Sequence, residues 1–208
     1  MAEQLLPLFP LQVVLFPDSV LPLHIFEERY RQLINECLDG EKEFGINFVQ
    51  ETELARVGCT AVVTELVKRY DGGRMDILVE GRRRYALSQI VPSTSLYSVG
   101  NVIFLPPARE RIDAALAAKT VALHNQLMRI VYRDREFDLE YDPANPELSF
   151  RIAQKAGMEL AQRQAVLESN SENERLRLLH DYFVEIIPKL QSLETIERII
   201  KNDGYIIH

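Results

Sequence analysis

The residues up to about 108 alternate short apolar runs with turn residues, a pattern typical of β-strands. The clearest feature is a predicted hairpin, in which two β-rich runs at 59–70 and 74–80 are joined by an Asp-Gly-Gly turn at 71–73 that tolerates positive φ. One helix is predicted at 27–38, where helical spacing places five apolar residues on one face: Phe26, Tyr30, Leu33, Ile34 and Cys37. We expect six or seven short strands with one inserted helix, forming a small closed or half-closed barrel.

After Pro106 and Pro107 the apolar positions change to helical spacing. Ser171 and Glu174 are spaced as a capping box at the start of the last and longest helix. Apolar residues in that helix then step by four and three, which makes a heptad-like seam of Leu179, Phe183, Ile186, Leu190 and Leu193. Pro188 lies within this run and predicts a kink or a break.

These patterns predict an α+β fold in two parts, a β-rich subdomain at 1–108 and an all-helical subdomain at 109–208. The seam in the last helix leaves two interpretations open. It is either the core-facing stripe of that helix, which is the commoner case, or the interface of a dimer.

Composition narrows the classes of function. The formal net charge is -7 and the pI is near 5.2, which argues against nucleic-acid binding because that affinity comes mainly from neutralising phosphates. Cys37 and Cys59 lie in apolar surroundings without CxxC spacing, so we expect reduced thiols in a core. There is no basic leader and no apolar run of membrane-spanning length, so we expect a soluble, cytoplasmic protein without a membrane partner.

Three segments stand in a distinctive order. The first, LPLFPLQVVLFPDSVLPLHIFEERYRQLI, covers 6–34, and the second, VEGRRRYAL, covers 79–87. The third joins LSFRIAQ at 148–154 to RQAVLESNSENERLRLL at 163–179. Together these segments resemble the N-terminal substrate-binding domain of Lon-type ATP-dependent proteases, and the resemblance covers nearly the whole chain.

The resemblance implies a PUA-like pseudo-β-barrel followed by a helical bundle with a long last helix, and a function in selecting protein substrates. The sequence contains no GxxxxGK[ST] phosphate loop and leaves no room for a peptidase, so we expect a stand-alone form without ATPase or protease activity. The predicted function is a non-enzymatic module that binds unfolded or exposed segments of other proteins. It would act as an adaptor or regulator of proteolysis beside a separately encoded protease, and a regulator that works without any protease stays open.

The opening segment supplies the candidate peptide-binding residues, which are Phe16, Pro17, His24, Phe26 and Tyr30. Prolines fix the backbone and aromatic rings supply apolar area at low entropic cost, which suits recognition of exposed hydrophobic segments. The alternative interpretation is that these residues form the seam and core of the barrel itself. An exposed strand edge would offer a second mode, the addition of an extended polypeptide as a strand.

The basic cluster Arg82, Arg83 and Arg84 supports the rival function, an RNA-binding PUA-like protein. The alternative is that strand alternation sends these arginines to both faces of the sheet. Their acidic partners would then be Glu65, Asp76 or Glu80.

The sequence offers no arrangement for catalysis or for a cofactor. The histidines lack partners at metal-ligand spacing, so we expect no metal site; they are His24, His124, His180 and His208. Ser149 and Lys155 are six residues apart, which places them on different faces of a helix, and GxSxG is absent.

Overall fold

The structure of the protein is a computed structural model that describes residues 3–40, 42–132, 139–140, 142 and 147–203, with the side chains of 194 and 196–203 outside that description. The described residues form seven strands, namely β1 (Gln4–Leu11), β2 (Val20–Ile25), β3 (Phe44–Gln50), β4 (Glu53–Leu54), β5 (Val57–Arg69), β6 (Met75–Val91) and β7 (Val99–Phe104). They also form the helices α1 (Glu28–Gly40), α2 (Ala114–Val131), α3 (Leu148–Gln154), α4 (Leu160–Glu168) and α5 (Glu172–Asp203).

The chain divides into two compact units. The first comprises Met1–Pro107 and Gly157–Asn170, and the second comprises Ala108–Ala156 and Ser171–His208. The division predicted from sequence, at residue 108, is a single cut and therefore differs at 157–170. That segment joins the first unit because α4 packs on the barrel.

The barrel of the first unit is closed by strand pairing. Within the described residues, hydrogen-bonded neighbours follow the order β1-β7-β6-β5-β3, and β1 also pairs with β3 in parallel, from Leu8–Gly45 to Leu11–Phe48. A ring of strands has no free edge along its circumference. The short β4 pairs with β3, and β2 pairs with β6, so both lie outside the ring.

The main core of the first unit packs α1 against the strands. The buried face of α1 carries Tyr30, Leu33, Ile34 and Cys37, as the helical spacing predicts. The ring of Tyr30 stacks on Phe9 at 3.9 Å between centroids. The strands contribute Phe44, Ile46, Cys59, Ala61, Met75, Ile77 and Val79 to the same cluster.

A second cluster surrounds Tyr85, whose ring is completely buried. The Tyr85 hydroxyl donates a hydrogen bond to Asn47 Oδ1, and burial raises the pKa of Tyr85 well above its ordinary value. Gly45 and Gly58 lie against this ring, and a Cβ atom at Gly58 would stand 2.6 Å from the hydroxyl. These two positions therefore need glycine for close approach and not for an unusual backbone angle.

β6 runs from Met75 to Val91 and is therefore longer than the run at 74–80 that the sequence pattern predicts. The strand continues through Gly81 because the Gly81 N–H donates to Ser19 O and the Gly81 carbonyl accepts from Asp18 N, both at 2.9 Å. The first part of β6 pairs with β2 on one side and with β5 on the other. These three strands form a sheet that extends beyond the closed ring.

In the second unit α2 and α3 both contact α5. Asp113 caps α2 by accepting from the N–H groups of Ala115 and Leu116, and Ser171 Oγ accepts from Glu174 N as the predicted capping box requires. α5 runs through Pro188 without the predicted break. Within the described residues no helix combines the length and apolar character that a membrane span needs.

A buried ion pair within α5 is hydrogen-bonded to Ser149 of α3. The Arg175 guanidinium donates to Glu172 Oε2 at 2.5 Å, and neither side chain is exposed. Ser149 Oγ donates to Glu172 Oε2 at 2.7 Å and accepts from Arg175 Nε at 2.8 Å. Burial raises the pKa of Glu172, and the charge of Arg175 opposes that shift.

Candidate functional site

Three of the five candidate peptide-binding residues are buried. Phe16 is completely buried, and Ser19 Oγ holds its loop by accepting from Phe16 N and donating to Phe16 O. Pro17 is buried beside it. Tyr30 belongs to the α1 core described above. These side chains serve the barrel, which is the alternative that the sequence leaves open.

His24 and Phe26 are exposed, and Phe26 has 60% of its surface accessible. The prediction that places Phe26 on the buried face of α1 is wrong, because α1 begins at Glu28 and Phe26 precedes it. The rings of His24 and Phe26 lie 6.0 Å apart, nearly parallel. His24 also meets the ring of Tyr70 edge-on at 6.0 Å.

Asp76 connects two of these rings. His24 Nδ1 lies 2.5 Å from Asp76 Oδ1, and the Tyr70 hydroxyl donates to Asp76 Oδ2 at 2.6 Å. The hydrogen bond from Tyr70, followed by that from His24, lowers the pKa of Asp76, and the same bond raises the pKa of Tyr70. The Lys68 ammonium lies 4.5 Å from the centroid of the Tyr70 ring. His24, Tyr70 and Asp76 are called the Asp76 cluster below.

The Asp76 cluster lies at one end of a broader surface, the outer sheet face. Strand register defines this face as three rows, each with one residue from β2, one from β6 and one from β5. The rows are Val20, Glu80 and Val62; then Pro22, Leu78 and Glu65; and finally His24, Asp76 and Lys68. The opposite side of β6 carries Met75, Ile77 and Val79, which are buried. Alternation therefore directs the rows away from the core. The face mixes apolar side chains with a charged and aromatic end.

The free edge of β2 is a poor site for strand addition. Among the described residues β2 pairs with β6 alone, and the hydrogen bond from Gly81 N to Ser19 O directs the Ser19 carbonyl towards β6. Because successive residues of a strand direct their backbone groups to opposite sides, those of Val20, Pro22 and His24 point to the free edge of β2. Pro22 has no N–H, so it would interrupt the hydrogen bonds between β2 and an added strand, and it protects the edge from such pairing. The side chains of the outer sheet face are consequently the better contact surface.

The three arginines of the predicted basic cluster do not form one patch. Arg82 pairs with Glu80 at 3.2 Å, and Arg83 pairs with Glu43 at 2.9 Å. Arg84 is buried and donates to the carbonyl oxygens of Leu167 and Ser169, each at 2.8 Å. Strand alternation thus directs Arg84 into the interior of the first unit, where its guanidinium stabilises the packing of β6 against the end of α4.

The described residues contain no group of three His, Cys, Asp or Glu side chains that could hold a metal ion. His124 is buried, and His180 lies 3.1 Å from Asp181. His208 lies outside the described residues. Cys37 and Cys59 are buried thiols that form no disulfide, and burial raises the pKa of Cys37 to about 11.

Most of the chain matches a known protein family. The family model of the ATP-dependent protease La (LON) substrate-binding domain matches residues 5–185. The chain belongs to this family. Lon protease of Escherichia coli (strain K12) is 24% identical over 214 residues, which cover 95% of the chain and 26% of that protein. Lon protease of Xanthomonas oryzae pv. oryzae is 28% identical over 193 residues, which cover 84% of the chain and 22% of that protein.

Solved structures of the family share the fold. A Lon N-terminal domain protein from Xanthomonas campestris matches with a TM-score of 0.66 and 21% identity, over 85% of this chain and 96% of that one. The N-terminal domain of Mycobacterium avium complex Lon protease matches with a TM-score of 0.67 and 19% identity, over 88% and 99%. The predicted family and the predicted α+β fold with a long last helix are confirmed. The chain spans about a quarter of the length of the curated relatives it matches.

Proposed function

We propose that this chain recognises substrates by holding unfolded or exposed segments of other proteins on the outer sheet face. Membership of the substrate-binding family is the observation that carries the proposal. The face supports it because Val20, in the row next to Pro22 and Leu78, exposes 60% of its surface. Phe26 also exposes 60%, and its ring lies 6.0 Å from that of His24 at the end of the face. Exposed apolar side chains grouped in this way mark interaction surfaces.

The expected binding is weak and reversible. A segment that covers about 200 Å² of apolar surface gains roughly 5 kcal/mol from burial, and much of this is offset by ordering the segment. The Asp76 cluster adds hydrogen-bonding and charged groups at one end of the face. These groups would orient a bound segment without requiring one sequence.

The broader role is part of the same proposal. The matched region is the substrate-binding part of proteins named Lon protease, so the chain would act in proteolysis as an adaptor or regulator, in the cytoplasm, by recognition and without catalysis. The RNA-binding alternative loses support because Arg84 is buried and Arg82 and Arg83 are paired.

The test measures fluorescence anisotropy of a labelled, permanently unfolded polypeptide of near-zero net charge. We expect saturable binding, and we expect Val20→Asp combined with Phe26→Asp to weaken it roughly tenfold or more. The matched control is Ile90→Asp combined with Leu96→Asp, which adds the same charge at residues of similar exposure in the same unit.

Exposed substitutions of this kind shift stability little, so both variants should fold. Circular dichroism and an unfolding curve check this point. Equal binding by the two variants would exclude the outer sheet face, and the absence of saturable binding by the unmodified chain would exclude the function.

A further inference from the structure

A groove in the first unit, separate from the outer sheet face, lies between the β3–β4 hairpin and α4. Two adjoining cavities of about 520 and 270 Å³ form it. Phe48, Gln50 and Ala161 line both cavities, so the two are continuous. This volume is in the range of binding sites for small ligands and side chains. It is called the β3–α4 groove below.

One wall of the groove is apolar. Phe48 and Val49 line it from β3, and Leu160 and Ala161 line it from the first turn of α4. Leu160 leaves 38% of its surface exposed although it faces a concave site. A bound apolar side chain would remove these groups from water.

The rim of the groove is acidic. Its carboxylates are Glu51, Glu53, Glu159 and Glu168, and none of the described lining residues is a lysine or an arginine. The nearby Arg163 is committed elsewhere, since its guanidinium lies over the Phe16 ring at 4.9 Å and donates to Val14 O. Glu159 also caps α4, so its charge is partly used by the helix N-terminus.

Two features of the groove, one of the backbone and one of a side chain, suit the binding of a polypeptide. β4 has two residues and, in the described part of the chain, pairs with β3 alone, so its outer edge is open. Gln164 lines the smaller cavity with 7% of its surface exposed, and its Nε2 donates to Val57 O and Glu168. Its Oε1 is buried without a hydrogen-bond partner in the structure, which leaves an unsatisfied acceptor in the wall of the smaller cavity.

We infer that the β3–α4 groove binds an extended polypeptide segment in which apolar residues alternate with lysine or arginine. The apolar wall takes the apolar side chains, and the glutamates take the cationic ones. The open edge of β4 takes the backbone of the segment. This inference rests on the proposed function, and it adds a second contact surface and a class of segment.

The test uses two labelled peptides in anisotropy titrations, one with alternating leucine and lysine and one with glutamine in place of every lysine. The triple variant Glu51→Gln, Glu53→Gln, Glu168→Gln should weaken the lysine peptide roughly tenfold and leave the glutamine peptide unchanged. The matched control is Glu3→Gln, Glu28→Gln, Asp39→Asn, which removes the same charge from exposed sites elsewhere in the unit.

Leu160→Gln separates the apolar wall from the rim, because it should weaken both peptides. Equal effects of the triple variant and its control would overturn the groove assignment. In that case the proposed function would still be tested by the binding of the unfolded polypeptide and by the loss of that binding when Val20 and Phe26 are substituted. If neither the peptides nor the unfolded polypeptide bind, the inference and the proposed function both fail.

Discussion

At the residue scale, the burial of His124 contributes a pH dependence to stability. Its imidazole is buried in α2, and its Nε2 has no hydrogen-bond partner in the structure. Burial lowers the pKa of His124, and Lys155 adds to this while the hydrogen bond with Asn125 opposes it. The folded state therefore binds the proton less readily than the unfolded state does.

The free energy of unfolding should consequently fall as the pH drops through about 6.5, the ordinary value for histidine, towards the lower folded pKa. Denaturant unfolding at pH 7.5 and 5.5 measures this. His124→Gln should lose less stability over this window than the unmodified chain loses. His180→Gln is the control and should keep the unmodified dependence; the prediction fails if the two variants respond alike.

The candidate site was predictable only in part, and the reason is local. In the opening segment His24 and Phe26 are exposed, whereas Phe16 is completely buried. The presence of an aromatic residue in a sequence does not show whether its side chain is buried or exposed. Tyr70 and Asp76 were missed as members of the cluster. Strand alternation turns Asp76 outward, yet nothing local ties it to His24, which is 52 residues away.

At the scale of elements, Arg84 links β6 to the end of α4. Its guanidinium donates to the carbonyl oxygens of Leu167 and Ser169 and to Asn170 Oδ1. Truncation would remove this donor from the buried Leu167 carbonyl, from the half-buried Ser169 carbonyl and from the Asn170 side chain. Arg84→Ala should therefore lower the free energy of unfolding by about 2–4 kcal/mol.

Arg82→Ala is the matched control, since the side chain is exposed and pairs only at the surface. We expect its effect to stay within about 0.5 kcal/mol. Urea denaturation followed by circular dichroism compares the two variants. Similar midpoints would show that the contacts of Arg84 do not hold this part of the unit together.

Elements with a local signal were predictable, and long-range pairings were not. The helix expected at 27–38 is α1, and the expected hairpin is formed by β5 and β6, because periodicity and turn residues encode both. The parallel pairing of β1 with β3 and the packing of α4 on the barrel join segments far apart in the chain. Such contacts depend on tertiary structure, for which a single sequence carries no periodic signal.

At the scale of the whole molecule, the net charge of -7 argues against RNA binding, and the salt dependence of binding distinguishes that function from the proposed one. RNA affinity depends on neutralising phosphates, and it falls steeply with rising salt because the counterions released on binding gain less entropy in a more concentrated solution. Apolar contact on the outer sheet face depends little on salt. The two functions therefore predict different salt dependences, steep for RNA binding and weak for polypeptide binding.

We expect the near-neutral unfolded polypeptide to change its dissociation constant by less than about threefold between 50 and 200 mM salt, because burial of apolar surface is not screened. A labelled RNA should show no saturable binding at about 150 mM salt. Arg83→Glu should leave polypeptide binding unchanged, since Arg83 pairs with Glu43 and lies outside the three rows of that face. RNA binding that weakens by roughly a hundredfold or more over the same salt range, and is lost in this variant, would instead establish the RNA-binding function.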